Sequence, residues 1–160
     1  MSIICPDYLT IGLEKQYSKV LQQRIADNLP LNPRLKVEAV DFRPWGGHCL
    51  GVLVTPWVME LMILSNEGDG WADIKAGSTI SFDFPSGPVE FVLNESEGMG
   101  KFLVCPLYSP IFDLQDQETA VSTAKLVIES LMNKEKSVDE PLVSREKVME
   151  LYWHSSKAWF

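Results

Sequence analysis

The sequence is poor in the groups that metal and nucleophile chemistry require. It holds two histidines, His48 and His154, and three cysteines, Cys5, Cys49 and Cys105. Structural metal sites take several Cys or His ligands at tight spacing. Here His48 and Cys49 are adjacent, and neighbours on a strand point to opposite faces, so they chelate poorly together. Cys5-Pro6 looks like half of a rubredoxin-type knuckle, without the second cysteine of C-x-x-C. No metal and no cofactor are expected. Three cysteines far apart in sequence also argue against a secreted disulfide framework.

Basic residues are scarce as well. Fourteen Lys and Arg stand against 22 Asp and Glu, a formal net charge of −8. The basic residues are scattered, with none of the stripes that phosphate contacts need, which disfavours nucleic acid and anionic membrane surfaces as partners. Acidity of this kind serves solubility and attracts basic partners at long range. Long hydrophobic runs are missing too. The most apolar stretch, 50–64, is interrupted by Pro56 and Glu60 and is too short to cross a bilayer. Residues 1–7 lack the basic and apolar regions of a signal peptide. A cytoplasmic location is the expectation.

Catalytic motifs are not found. Gly46-Gly47 and Gly98-Met99-Gly100 fit neither the P-loop nor the dinucleotide fingerprint, and read as hairpin turns. Ser86 and Ser109 have no nucleophile elbow around them. No carboxylate pair is singled out by its spacing. Cys105 lies in the apolar run Phe102-Leu103-Val104-Cys105, where a cysteine is most often a small core hydrophobe; a redox-sensitive thiol is the other reading. The chain is read as a binding protein and not as an enzyme.

What is present is globular patterning: 160 residues, 46% hydrophobic and 22% charged, enough for one domain spanning 1–160 with its own core. Leu13, Tyr17, Val20, Leu21, Ile25 and Leu29 share one helical face, predicting a helix over 12–29 that stops at Asn28 and Pro30. Apolar runs punctuated by Pro and Gly predict strands at 36–42, 49–54, 59–64, 79–84, 89–93 and 101–107, with turns at 43–47, 85–88 and 98–100 and a short helical turn around Trp71. A second amphipathic helix is expected over 114–133, capped by Asp113 or Asp116. A polar connector follows at 134–143, then a short helix at 144–153 and an aromatic tail containing Tyr152, Trp153, Trp159 and Phe160. The fold class is α+β: an antiparallel β-sheet meander of about five or six strands, with amphipathic helices before and after it packed on one face.

The five tryptophans are the remaining signal. Large aromatics close the ends of cores, and they also anchor partners. Trp45 beside Gly46-Gly47 and Trp57 beside Pro56 stand at strand ends, where binding residues are often placed. Met59 would add adaptable apolar surface.

Several segments resemble one family. Gly51-Val52-Leu53-Val54-Thr55-Pro56-Trp57-Val58-Met59 looks like a "G-x-x-[VI]-T-P-W-x-[ML]" segment. Trp71 follows in the next loop. Phe84-Pro85-Ser86-Gly87 matches a "P-x-G" hairpin with an aromatic after it at Phe91. Phe102 to Pro110 matches "C-x-L-x-S-P" before a long helix. The family is that of the HybE-type, or HupJ-type, assembly chaperones of [NiFe]-hydrogenases, and the resemblance covers about residues 45–132. Some relatives carry a fused rubredoxin domain, for which this chain has neither room nor cysteines. The resemblance implies a partner: the hydrogenase small subunit precursor with its twin-arginine export signal, or the large subunit. The implied tasks are proofreading before export and shielding of immature subunits. The contacts it suggests are Trp45, Trp57, Met59 and Trp71. The alternative reading is a small-molecule or redox-binding α+β domain using a cleft near Cys49 and Cys105.

Overall fold

In the computed structural model, Cys5 and residues 7–65, 71, 73–96, 99–108 and 111–133 are described. The loop at 66–70, Gly98, Ser109-Pro110, the connector at 134–143, the helix expected at 144–153 and the aromatic tail lie outside these residues.

Helix α1 runs Asp7–Ala26. Its inner line passes through Leu13 and Tyr17, both buried. A further three to four residues on, the helical period reaches Val20 and then Arg24. Arg24 is 8% exposed, whereas Ile25, expected on the buried face, is 53% exposed. The helix gives way at Asn28, which takes a positive φ of 55°, a conformation that Asn tolerates better than most residues.

Six strands follow: β1 Glu38–Trp45, β2 His48–Val54, β3 Met59–Leu64, β4 Thr79–Phe84, β5 Gly87–Ser96 and β6 Gly100–Tyr108. They form one antiparallel sheet in the order β1-β2-β3-β6-β5-β4. Two three-stranded meanders thus meet where β3 pairs with β6. Strand β1 runs on through Arg43 and Pro44, so the turn narrows to Gly46-Gly47, with φ of 56° and 86°. Two positive φ values in a two-residue hairpin loop suit glycine and the right-handed twist of the strands. A bulge between Val40 and Arg43 places Asp41 at φ 55°.

Strand β3 is buried at all its positions and β2 at all but His48. Successive side chains point to opposite faces, so both faces of the sheet need cover. The finding corrects the expectation of two helices on one face. Leu13 and Tyr17 of α1 pack with Cys49, Leu53, Met62, Leu64 and Val104 on one side. Helix α2, Gln117–Leu131, packs Ala120, Ala124, Val127, Ile128 and Leu131 on the other side with Leu50, Val52, Met59, Leu61, Ile63 and Leu103. Asp116 caps α2, its carboxylate accepting from the Thr119 N–H at 2.7 Å.

The sheet curls around α2. Trp45 on edge strand β1 stacks on Phe84 of the opposite edge strand β4 at 4.4 Å between ring centroids, and meets Phe82 edge-on at 5.5 Å. The Ser86 N–H, in the β4–β5 turn, donates to the Leu131 carbonyl at 3.1 Å. Sheet twist brings two hydrogen-bonding edges toward each other, and aromatic packing closes the space between them.

Candidate partner-binding site

The β2–β3 hairpin tip is built by Thr55-Pro56-Trp57-Val58. The Thr55 hydroxyl donates to the Val58 carbonyl at 2.8 Å and accepts from the Val58 and Trp57 N–H groups at 2.9 and 3.2 Å. One side chain thereby satisfies the backbone that Pro56 leaves without a ladder. The Pro56 carbonyl accepts from the Asn32 N–H at 2.7 Å. Asn32 is itself buried. Its amide donates to the carbonyls of Ile111 and Leu114, both at 3.0 Å, and its oxygen accepts from the Arg34 N–H at 3.0 Å. This residue ties the α1–β1 connection, the hairpin tip and the entry to α2 into one end of the molecule.

The four expected contact residues do not form one patch. Trp57 lies in the core on the α1 side, while Trp45, Met59 and Trp71 belong to the core on the α2 side. Met59 is fully enclosed, so in this conformation it has no surface to offer a partner. Trp57 and Trp71 are 8% and 6% exposed. Trp71 leans on the His48 ring at 4.8 Å. Trp45 is half-buried and is the one of the four with substantial open surface.

Around Trp57 the structure assembles Tyr17, which the helical period placed on the buried face, with Arg24 and Glu60, which periodicity alone did not mark. Tyr17 stacks on the Trp57 ring, with centroids 6.2 Å apart and planes 9° from parallel. The Arg24 guanidinium carbon sits 4.9 Å from the Trp57 ring centroid, within cation–π range. The Tyr17 hydroxyl donates to Glu60 Oε2 at 3.2 Å. Burial pushes the Glu60 carboxyl up to about 8, and the Tyr17 bond pulls it the other way. Burial also lowers the Arg24 pKa. The signals for this cluster were a glutamate inside an apolar strand and an arginine on the helical line of Leu13 and Tyr17.

The cysteines are arranged differently from expectation. Cys5 and Cys49 form a disulfide that ties the chain just before α1 to the start of β2. Cys105 is buried, and burial together with the charges of Glu60 and Glu90 pushes its thiol up to about 12. A buried thiol so disfavoured as thiolate is a poor nucleophile, which suits the packing role more than the redox one. Cys49 packs on the α1 side of the sheet and Cys105 on the α2 side, so the described residues do not bring the two cysteines of the small-molecule reading together. Among the described residues no group of three or more His, Cys, Asp or Glu could hold a metal.

A family model described as "[NiFe]-hydrogenase assembly, chaperone, HybE" matches residues 9–151. The chain belongs to the HybE family. The HupJ protein of Rhodobacter capsulatus, described as a probable rubredoxin, is 36% identical over 124 residues, covering 78% of this chain and 45% of that protein. The hydrogenase expression/formation protein HupJ of Bradyrhizobium diazoefficiens is 35% identical over 111 residues, covering 69% and 64%. HoxT of Cupriavidus necator is 33% identical over 141 residues, covering 81% and 77%. The chain thus spans about half to two thirds of the two HupJ proteins. The solution structure of HybE from Escherichia coli superposes with a TM-score of 0.60 over 85% of each chain at 19% identity, a likeness of fold.

Placed on this HybE fold, the segments that carried the resemblance have structural jobs. Thr55-Pro56-Trp57 makes the hairpin tip. Phe84 to Gly87 makes the β4–β5 turn, with Gly87 at φ 135°. Cys105-Pro106-Leu107 lies in β6 beside β3. No helix among the described residues is long and apolar enough to cross a membrane.

Proposed function

We propose that the chain is a non-enzymatic cytoplasmic chaperone that assists [NiFe]-hydrogenase assembly by binding hydrogenase subunit precursors before export. The observation that carries this reading is the family match over residues 9–151. The fold is compatible with it, with Asn32 tying three connections together at one end of the molecule. The preferred partner is the small subunit precursor, whose twin-arginine signal is basic at one end and apolar in the middle. A net charge of −8 favours approach of such a segment.

Of the expected contacts, Trp45 is the primary one, since it joins open aromatic surface to Phe82 and Phe84 at the closing edge of the sheet. Trp57 and Trp71 contribute at their exposed rims, and Met59 supports them from within. Affinity capture of the tagged chain from its own host, under hydrogenase-inducing conditions, tests the proposal. Enrichment of a small or large subunit precursor supports it. Repeated capture of neither, with both subunits expressed, overturns it.

A further inference from the structure

Arg24 Nε and Nη1 and Trp57 Nε1 are shut off from solvent, and none has an acceptor. All three belong to side chains in mutual contact, with the guanidinium 4.9 Å from the indole centroid. A buried guanidinium donor without an acceptor is among the costlier arrangements a protein can hold, since the ion has lost its water and gained no partner. The last-turn position of Arg24 suits the α1 dipole, but the dipole supplies no acceptor to Nε or Nη1. Among the described residues no acid supplies one either. Glu14 accepts from the Ala39 N–H, and Asp27 accepts from Gln23. Glu60 accepts from Tyr17 through Oε2, and its Oε1 is enclosed without a partner. The enclosed donors are therefore two of the cation's own nitrogens and one indole N–H beside it, with no anion bonded to them among the described residues.

Arg24 retains 8% exposure, and Nη2 is not among the enclosed atoms. Guanidinium nitrogens work in pairs, and a fork that includes Nη2 opens to solvent while its other arm is Nε or Nη1. An anionic oxygen arriving there would satisfy a buried donor and offset the desolvated charge together.

We propose that Arg24 and Trp57 form an oxyanion-binding site at the C-terminal end of α1, taking a carboxylate or phosphate group. The site stands independently of the chaperone reading, because its evidence is the unpaired donors. Carboxylate from an acidic side chain and phosphate from a small molecule share the required chemistry, so the test separates them. The Arg24 Nε–H and Trp57 Nε1–H resonances of the full chain would be followed by NMR during titration with sodium acetate, and separately with sodium phosphate. Sodium chloride at matched ionic strength is the control.

The expected result is a saturable shift of both resonances with acetate, phosphate or both; in Arg24→Gln and Arg24→Lys the Trp57 Nε1–H remains as the reporter, and its response to the anion weakens roughly tenfold or more in Arg24→Gln. Acetate alone identifies a carboxylate site, and phosphate alone a phosphoryl site. Arg24→Lys keeps the charge and loses the fork, so a folded Lys variant with weakened response confirms the geometry. Shifts that match chloride, or that persist unchanged in Arg24→Lys, would overturn the site and assign the donors to trapped water.

Discussion

Tyr17 on α1 and Glu60 on β3 meet through a hydrogen bond of 3.2 Å from the phenol to the carboxylate, in the buried layer between helix and sheet. With the Glu14 carboxylate, which accepts from the Ala39 N–H at 3.0 Å, it ties α1 to its face of the sheet. It also makes the stability of the fold depend on pH. The Glu60 carboxyl is raised from 4.5 to about 8 in the folded chain. Between these values the native state holds a proton that the unfolded state releases, so stability falls as pH rises through this window and levels off above it. Glu60→Gln is expected to abolish most of this fall and to raise stability near pH 8 by a few kcal/mol, on the order of what the shift implies. Urea denaturation from pH 5 to 9 measures it, and identical slopes in both proteins would refute the assignment.

Tyr17→Phe keeps the ring stack on Trp57 and removes the hydroxyl. Glu60 then loses its donor while remaining buried, an expected loss of about 1–3 kcal/mol. The carboxyl should titrate still higher, because the bond that held it down is gone. Denaturant midpoints and carboxyl NMR titration check the two parts separately.

Asn32→Leu tests the node that joins three connections. Two buried carbonyls and one N–H lose their partner together, with an expected cost of at least about 2 kcal/mol. Amide hydrogen exchange should speed up at Leu114 and around Pro56 before it does so in β3. Unchanged protection there would show that Asn32 is dispensable.

Cys5 and Cys49 close a loop with a sequence separation of 44. Restricting an unfolded chain over that separation stabilises the fold by about 2–4 kcal/mol. A reductant should lower the denaturation midpoint of the native chain and leave Cys49→Ser unaffected. Native thiol labelling should leave Cys105 unmodified.

Gly51 lies beneath the Phe42 ring, and a Cβ built at residue 51 would collide with that ring. Gly51→Ala should therefore destabilise the chain by about 1–3 kcal/mol. Phe42→Ala in the same chain should recover part of the loss, and a double-mutant cycle of thermal midpoints tests the coupling.

Much of the fold was legible because its signals are local. The apolar runs at 49–54 and 59–64 read as buried strands divided by Pro56, although a buried helix shows the same unbroken apolar pattern. Of the two caps the sequence offered for α2, Asp113 and Asp116, the structure uses Asp116, which accepts from the Thr119 N–H. The distribution of helices between two faces was also implicit in those runs, since unbroken burial along β2 and β3 leaves neither face free. The Cys5–Cys49 bond was not legible, because it depends on how α1 lies along β2. Nor did the sequence distinguish a tryptophan that anchors a partner from one that closes a core. Trp57 at a strand end and Trp71 in a loop read alike in both roles, and their burial is set by Tyr17, Arg24 and His48 from distant segments. Arg24 was hidden by its charge, though its spacing from Tyr17 places it on the inner line of the helix.

The central claim is that this chain acts by binding an immature hydrogenase subunit. Its most direct test is calorimetric titration of the purified chain with the host's own small subunit precursor, beside the same subunit lacking its signal segment and beside the large subunit precursor. The account predicts binding to the small subunit precursor, weaker at high salt, lost with the signal segment and diminished in Trp45→Ala. Binding of neither precursor to the folded chain would contradict it.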